Sequence, residues 1–461
     1  VSDTGKRLSR RIAEFAVSFD RSRITAGLFE QTGRALVDTF AVAVAGVHED
    51  ASQLALGYVA PFSAKQRVDG IHASLWGQDG VAPVELAALW NGIAGHVLDY
   101  DDVTSPMRGH PSVAMLPALV AVAESVDASG TDLVGAYLVG FEVIGQLAGR
   151  LAISQYERGW HTTATIGVLG ATAGCARLLK LDVEQTISAL GLAVAQAAGT
   201  LANFGSHAKS FQAGHANAAA VRSALLARQG FTASEDALDS SIGYVPLYAA
   251  EPRSFDDDRP FGASPLEFER HGLEVKKYPL CYATHRALDG ILALRESNAL
   301  TLERVDRVEV TTSRGALQPL VHHSPRTGLQ GKFSMEYAMA AALLDGHVSL
   351  SSFTDPAVNR PSIQDFLPRV TGTAVASGEV FPRWAEVSVL LRDGDRLTTR
   401  VEQLRGSAAL PLTMAELGAK VADCLAWGRS RIDASQLTRN AMMLAEISVR
   451  DFLLACADRR G

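Results

Sequence analysis

Charge is scarce in this chain, and cysteine is scarcer. Of 461 residues only 20% are Asp, Glu, Lys or Arg, against 47% hydrophobic; ordinary soluble domains carry roughly 25% charged residues. That balance implies a large interior and suits a buried subunit interface as well. At about 100–200 residues per domain, two or three compact units are expected. The net charge is −7 and the basic residues are scattered, so nothing marks a polyanion partner and nucleic acid is not expected. The four cysteines, Cys175, Cys281, Cys424 and Cys456, lie far apart with no paired spacing. A reducing, cytoplasmic compartment is the simplest reading. The opening residues, VSDTGKRLSRRIAEF, lack the apolar segment of a secretory signal. Clean apolar runs are missing too. The uncharged stretch QTISALGLAVAQAAGTLANFGS (185–206) is interrupted by Gln, Thr, Ser, Asn and glycines, whereas a membrane span needs ~20 predominantly apolar residues. It is expected to be buried helix, and no membrane association is expected.

What is abundant is helical periodicity. Leu8, Ile12 and Phe15 recur at helical spacing, as do Leu36 and Phe40. Later segments, VAMLPALVAVAESV, TDLVGAYLVGFEVIGQLAGRLA and TATIGVLGATAGCARLLK, are apolar nearly all round. Such helices belong in the centre of a large bundle, where their Gly and Ala residues let axes approach closely. GVLGATAG is no phosphate loop, because the Gly-Lys-Ser/Thr ending and a preceding strand are both missing. Near residue 270 the pattern changes. RVDRVEVTTS alternates through Val308 and Val310, as a strand does. AEVSVLLRDGDRLTTRV (385–401) alternates on both sides of Asp393-Gly394-Asp395, a hairpin signal. Between them SMEYAMAAALLDG (334–346) predicts a helix ending at Gly346. Thr413 and Glu416 have capping-box spacing, and DASQLTRNAMMLAEISVRDFLLAC predicts an amphipathic helix packing back on the first helical part. The expected fold class is mainly α: an all-helical domain over 1–270 and 406–461, with a smaller α+β domain inserted over 271–405.

Against this charge-poor background, GHVLDYDDVTSPMRGHPSV (95–113) packs three aspartates and two histidines into nineteen residues. His96 and Asp99 lie three apart at the end of a helical pattern and are expected to share a face. Pro106 and Pro111 stop the helix, which leaves His110 on an irregular segment between two buried helices. Loops held on rigid scaffolds often carry catalytic groups; a solvated acidic turn is the plain alternative. His161, in SQYERGWHTTATIG, precedes a very apolar helix, where it either satisfies a core hydrogen bond or acts on substrate. Lys209, in FGSHAKSFQAGHANAAA, follows the uncharged stretch. A lysine is almost never fully buried unless paired, so this one is a base or anion partner, or else it snorkels from a helix end. Ser206-His-Ala-Lys209 also has S-x-x-K spacing, and Arg326-Thr-Gly328 mimics K-T-G, but without S-D-N an acyl-transfer serine is not supported. EVKKYPLCYATHRALDG contributes Lys276, Lys277, Tyr278 and His285 at the junction of the two domains, a common place for ligands. Cys281 and His285 are too few for a metal site, and no metal is expected.

Together NGIAGHVLDYDD with GHPS, HTTATIG, SHAKSFQAGHANAAA, KKYPLCYATH and KFSMEYAMAAALLDG resemble the MmgE/PrpD family over nearly the whole chain. That family includes 2-methylcitrate dehydratase, cis-aconitate decarboxylase and iminodisuccinate epimerase. The resemblance implies a homodimer, no metal or organic cofactor, and an α+β domain that acts as a lid. By motif it implies catalytic roles for Asp99, His110, His161 and Lys209, and lid-side contacts from Lys276, His285 and Tyr337. Two departures stand out. Dehydratase members resemble HPSDN after the histidine, where this chain has HPSVA. Decarboxylase members carry Thr directly after the paired aspartates, where Val103 stands here, with Thr104 next and one extra residue before His110. Both point towards the epimerase branch.

The three activities share one step, movement of a proton at carbon next to a carboxylate or imine. That step needs a positioned acid or base and a fixed positive field. The expected function is therefore a cofactor-independent epimerase of a small amino- or imino-dicarboxylate such as iminodisuccinate. His110 and Lys209 would serve the two faces of the carbon, Asp99 would orient a histidine, and Lys276, His285 and Arg108 would bind carboxylates. The alternatives are a lyase, dehydratase or decarboxylase, acting on a citrate- or aconitate-like acid and, from another class, a non-catalytic protein that binds a small carboxylate. In each case the expected partner is a small di- or tricarboxylate.

Overall fold

The computed structural model describes residues 7–249, 259–378 and 383–456. The chain divides into two compact units, Val1–Glu274 with Leu417–Gly461, and Val275–Glu416. It is mainly helical. The first unit carries one feature that helical periodicity does not signal, a short antiparallel pair of His72–Ser74 with Val81–Pro83.

The centre of the first unit is the helix Pro111–Ser125, buried along its whole length. Around it pack Ala26–Gly46, Val84–His96, Gly130–Glu157, Gly167–Leu178 and His207–Arg228. Small residues set how close these axes come. A Cβ on Gly214 would strike the Leu89 carbonyl, and one on Gly92 would lie 2.8 Å from Gly214 Cα. The 84–96 and 207–228 helices therefore cross at backbone contact. Pro117 stands inside the 111–125 helix and has no N–H for the Val113 carbonyl. Asn217 repairs the gap: Nδ2 donates to Val113 O at 2.8 Å, and Oδ1 accepts from the Ala118 N–H at 2.9 Å. One side chain thus completes the central helix and fastens the 207–228 helix to it. Gly130–Glu157 is long and apolar enough to cross a membrane, but 83% of its most apolar window is buried inside the fold. That is the behaviour of a core helix.

Two helix expectations need correction. The uncharged 185–206 stretch is helical only as part of Val183–Val194. It then turns through Gly199, with a φ of 135°, into a single 3-10 turn at Leu201–Asn203. The C-terminal segment is two helices, Ala434–Met442 and Val449–Ala455, the second restarted by a capping box of Ser448 with Asp451. The segment joining them packs on the first unit, where Gly130 N–H donates to Ile447 O at 2.9 Å.

In the second unit Val305–Thr312 runs parallel to Val370–Ala374 and antiparallel to Ala385–Leu391, which pairs in turn with Arg396–Val401. Val308 lies opposite Val370, and Val310 opposite Val387. The hairpin turns at Gly394, whose φ of 98° suits glycine. Strand alternation buries Val305, Val308, Val310, Val387 and Val389 in one apolar core. Helices His285–Asn298 and Met335–Asp345 pack against this sheet, and Gly346 ends the latter with a φ of 72°.

Candidate active site

The acids and imidazoles of 95–113 do not form a solvated turn. The 84–96 helix ends at His96, so His96 and Asp99 share no helical face. The chain then passes through Asp99 in the left-handed region, at a φ of 55°. Such strain in a non-glycine residue clusters at functional sites. Pro111 opens the next helix, which puts His110 at its N-cap. Two threonines bind this loop to the short helix Thr162–Thr165. Thr163 Oγ1 accepts the His110 N–H at 3.2 Å, and Thr162 Oγ1 donates to Arg108 O at 3.1 Å. A Cβ on Gly109 would lie 2.8 Å from Thr163 Oγ1, so glycine is needed for this approach. His161 is the N-cap of that short helix, and Lys209 lies in the first turn of the 207–228 helix.

Lys209 joins these pieces. Its Nζ donates to Asp99 Oδ1 at 2.8 Å and to His96 Nε2 at 3.1 Å. His96 Nδ1 lies 2.8 Å from Asp101 Oδ2. With the lysine donating at Nε2, the ring proton sits on Nδ1 and points at Asp101. His110 approaches both carboxylates: Nε2 is 3.6 Å from Asp99 Oδ1 and Nδ1 is 3.0 Å from Asp101 Oδ2. The first distance is too long for a hydrogen bond and the second is misaligned for one. The His110 ring meets His96 edge-on, with centroids 4.6 Å apart. His161 Nδ1 lies 2.6 Å from Gln212 Oε1, and the Gln212 amide donates to Thr200 O at 3.1 Å. That network places the His161 proton on Nδ1 as well. Phe204 closes the cluster, meeting His161 edge-on at 5.0 Å and the Lys209 ammonium at 5.4 Å.

Exposure sorts the cluster into two layers. Asp99, His110 and Lys209 are 7%, 9% and 9% exposed, whereas His96, Asp101 and His161 are at 1%, 0% and 2%. The first three can touch a ligand; the others stand behind them. Burial lowers His96 to about 4, against the opposing pull of Asp101. Burial also holds His161 well below the usual imidazole range, with His96 and Lys209 adding to the effect. Both rings are therefore neutral at neutral pH. Burial by itself would raise Asp101, but the His110 and His96 rings more than offset it and keep the carboxyl well below its ordinary range. Asp102 goes the other way. Burial and then Asp38 lift it well above that range. Lys209 sits where a helix N-terminus disfavours a cation, and Asp99 compensates.

His96, Asp101 and His110 bring possible metal-ligand atoms within 4.8 Å of one another. The 2.8 Å separation of His96 Nδ1 from Asp101 Oδ2 is that of a hydrogen-bonded pair sharing a proton, and an added divalent ion would face the Lys209 ammonium beside His96. The set matches proton handling better than metal binding.

Of the residues expected from sequence, Asp99, His110, His161 and Lys209 come together in the first unit. Arg108 sits in the same loop with a φ of 52°, its guanidinium 5.9 Å from the Tyr156 ring centroid. Lys276, His285 and Tyr337 belong to the second unit. There Lys276 is buried, and His285 Nε2 lies 3.2 Å from Leu280 O. Tyr337 is part of the apolar core, its hydroxyl donating to the Ser352 carbonyl. Thr104, beside Val103, directs its hydroxyl to Gly272 O at 3.3 Å. Asp101 and Gln212 are members that the sequence did not single out. Gln212 gains meaning only from His161, 51 residues away; its spacing from Lys209 along one helix is the one hint.

Residues 10–254 match the MmgE/PrpD N-terminal domain, and residues 278–442 match the MmgE/PrpD C-terminal domain. The chain is similar to human cis-aconitate decarboxylase, at 27% identity over 413 residues, covering 86% of this chain and 83% of the relative. Mouse cis-aconitate decarboxylase is 27% identical over 410 residues, covering 86% and 82%. The cis-aconitate decarboxylase of Aspergillus terreus is 26% identical over 352 residues, covering 69% and 70%. These names overturn the expectation of an epimerase, and with it that of an isomerase. The expectation leaned on two short departures, HPSVA and Val103, and similarity over 413 residues outweighs them.

Proposed function

The chain belongs to the MmgE/PrpD family, and on that premise we propose that it is a lyase that decarboxylates a small aconitate-like tricarboxylate. The reaction needs one proton. It adds to an alkene carbon, the bond from carbon to the departing CO₂ breaks, and the released electron pair becomes the new double bond. His110 supplies the proton and Lys209 the fixed positive charge beside the developing anion. The observation that carries this reading is that one oxygen, Asp99 Oδ1, lies 2.8 Å from Lys209 Nζ and 3.6 Å from His110 Nε2. An imidazole and an ammonium are thereby held at one point that retains solvent access. Asp101 and His96 steady Lys209 from behind, and Gln212 fixes the tautomer of His161. A positioned acid contributes ~10²–10⁴-fold in rate, and a preorganised donor at a developing anion about 2.7–4 kcal/mol. The buried cysteines, none of them in a disulfide, suit a reducing cytoplasmic compartment, and the apolar composition suits a homodimer.

The test is incubation with ¹³C-labelled cis-aconitate, citrate and 2-methylcitrate, followed by ¹³C NMR. Labelled CO₂ or bicarbonate with an unsaturated dicarboxylate is the expected result from cis-aconitate. Loss of water alone from a citrate-like acid would replace decarboxylation by dehydration. No change in any of the acids would contradict the lyase reading.

A further inference from the structure

A second buried group stands behind the paired aspartates. Lys420, on the helix Met414–Trp427, is 5% exposed. Its Nζ lies 2.6 Å from Asp38 Oδ1, donates to Tyr100 O at 2.9 Å, and stands 4.1 Å from the Tyr100 ring centroid. Tyr100 is the residue between Asp99 and Asp101. A lysine 320 positions away along the chain therefore grips the carbonyl that separates two carboxylates of the site, Asp99 and Asp101. Two residues on, Asp102 accepts the Ser112 N–H at 3.2 Å, and the Ser112 hydroxyl meets the Tyr137 hydroxyl at 2.8 Å. The loop is thus pinned at Tyr100 and at Asp102.

A buried ion pair is a poor way simply to fill space. Desolvating two charges often costs more than their attraction returns, and apolar residues of similar volume frequently serve as well or better. What the ammonium adds is direction. Held by Asp38, it fixes the Tyr100 carbonyl, and through it the left-handed turn at Asp99. That turn sends Asp99 to Lys209, while Asp101 meets His96 and His110. We propose that Lys420 is a positioning residue, holding the 99–102 loop in the one arrangement that assembles the site. The kinetic part of its test rests on the lyase reading; the spectroscopic part does not.

The experiment compares full-length wild type with Lys420→Met, Lys420→Arg and the double variant Asp38→Leu with Lys420→Met. Thermal midpoint, kcat and KM with cis-aconitate, and ¹⁵N NMR of the imidazoles without substrate are measured on each. In the double variant no charge is left unpaired and only the Tyr100 carbonyl loses a donor, so it folds with a modestly lowered midpoint. Its kcat nevertheless falls ~10²-fold, the effect of misplacing a reacting group by about 1 Å, while KM moves less than about threefold. Lys420→Arg keeps the charge and loses about tenfold in kcat. The Nδ1–H pattern of His96 is lost in the double variant, and that of His161 stays. A double variant that folds and keeps the kcat of wild type marks a merely structural pair and overturns the proposal. If Lys420→Met does not fold, the double variant and Lys420→Arg carry the comparison. If wild type turns over no tricarboxylate, the lyase reading fails separately, and an unchanged His96 signal in the double variant then overturns the role of Lys420.

Discussion

Two buried carboxylate clusters in the first unit use the same residue types to different ends. Around Glu142 and Glu267 every carboxylate oxygen has a donor, and the one orphaned atom among the described residues there is the neutral amide oxygen Gln146 Oε1. Glu142 accepts Gln146 Nε2 at 2.9 Å, the Gly262 N–H at 2.9 Å and the Glu267 N–H at 2.7 Å. Glu267 meets Arg259 at 3.0 Å, Arg270 at 2.6 Å and His271 at 3.1 Å. Burial would raise Glu267, yet His271 and Arg270 bring it down to about 2. At the candidate site, by contrast, Asp101 Oδ1, Asp102 Oδ2 and His110 Nδ1 have no aligned hydrogen-bond partner. Buried polar groups are almost always satisfied, and those that are not call for an explanation. A saturated cluster fastens chain segments together. An unsaturated one keeps capacity to pass a proton or receive a ligand.

Variants at the two clusters should therefore part company. The largest effects belong to the open cluster: His110→Ala and Lys209→Ala are expected to lose ~10²–10⁴-fold in kcat/KM per folded molecule by steady-state assay. Full turnover in either would move that residue to the fastening class. At the saturated cluster Glu267→Ala removes the buried acceptor shared by three partly exposed cations and is expected to cost ~2–4 kcal/mol in urea unfolding, with kcat per folded molecule unchanged. A loss of kcat there would erase the contrast.

A smaller effect follows from pH. His96 titrates near 4 when folded and near 6.5 when unfolded. As pH falls from about 6.5 the unfolded chain takes up a proton that the fold refuses, so stability declines, by roughly 3 kcal/mol on reaching about pH 4. His161 acts in the same direction. Thermal melts across this range should show the decline, and His96→Gln should make it shallower. A flat profile in wild type would mean that the rings are not held neutral. The smallest expected change is at Asn217→Ala, which leaves the Val113 carbonyl without its donor. It should cost ~1–3 kcal/mol of stability, without altering the pH profile.

The open cluster is the more legible of the two in sequence. GHVLDYDDVTSPMRGHPSV stands out because acids and imidazoles are sparse around it, and the irregular backbone follows from its prolines. Glu142 and Glu267 sit in ordinary helical patterns and give no signal at all. Within the site, Asp99, His110, His161 and Lys209 are readable from motifs, whereas Asp101, Gln212 and Lys420 are not. Their partners lie elsewhere in the chain, and hydrophobic periodicity says nothing about which polar atoms will meet. The same blindness explains the 185–206 stretch. Its lack of charge suggests helix, but the segment breaks where Gly199 O must accept the His161 N–H at 3.0 Å and Thr200 O the Gln212 amide at 3.1 Å. Strand alternation and the glycine-ended helix of the second unit are visible in advance because both are local properties. The reaction class is not local. Val103 and the residues after Ser112 belong to one short stretch of chain, while the polar groups of the candidate site are spread over four helices and their caps.

The most direct test runs cis-aconitate with the protein in deuterium oxide and follows both CO₂ release and deuterium in the product. Wild type should release CO₂ and deliver one deuterium to the carbon that gains the proton, and folded His110→Ala should do neither at a comparable rate. CO₂ release and deuterium delivery by His110→Ala at the wild-type rate would contradict the assignment of His110, held with Lys209 about Asp99, as the proton donor.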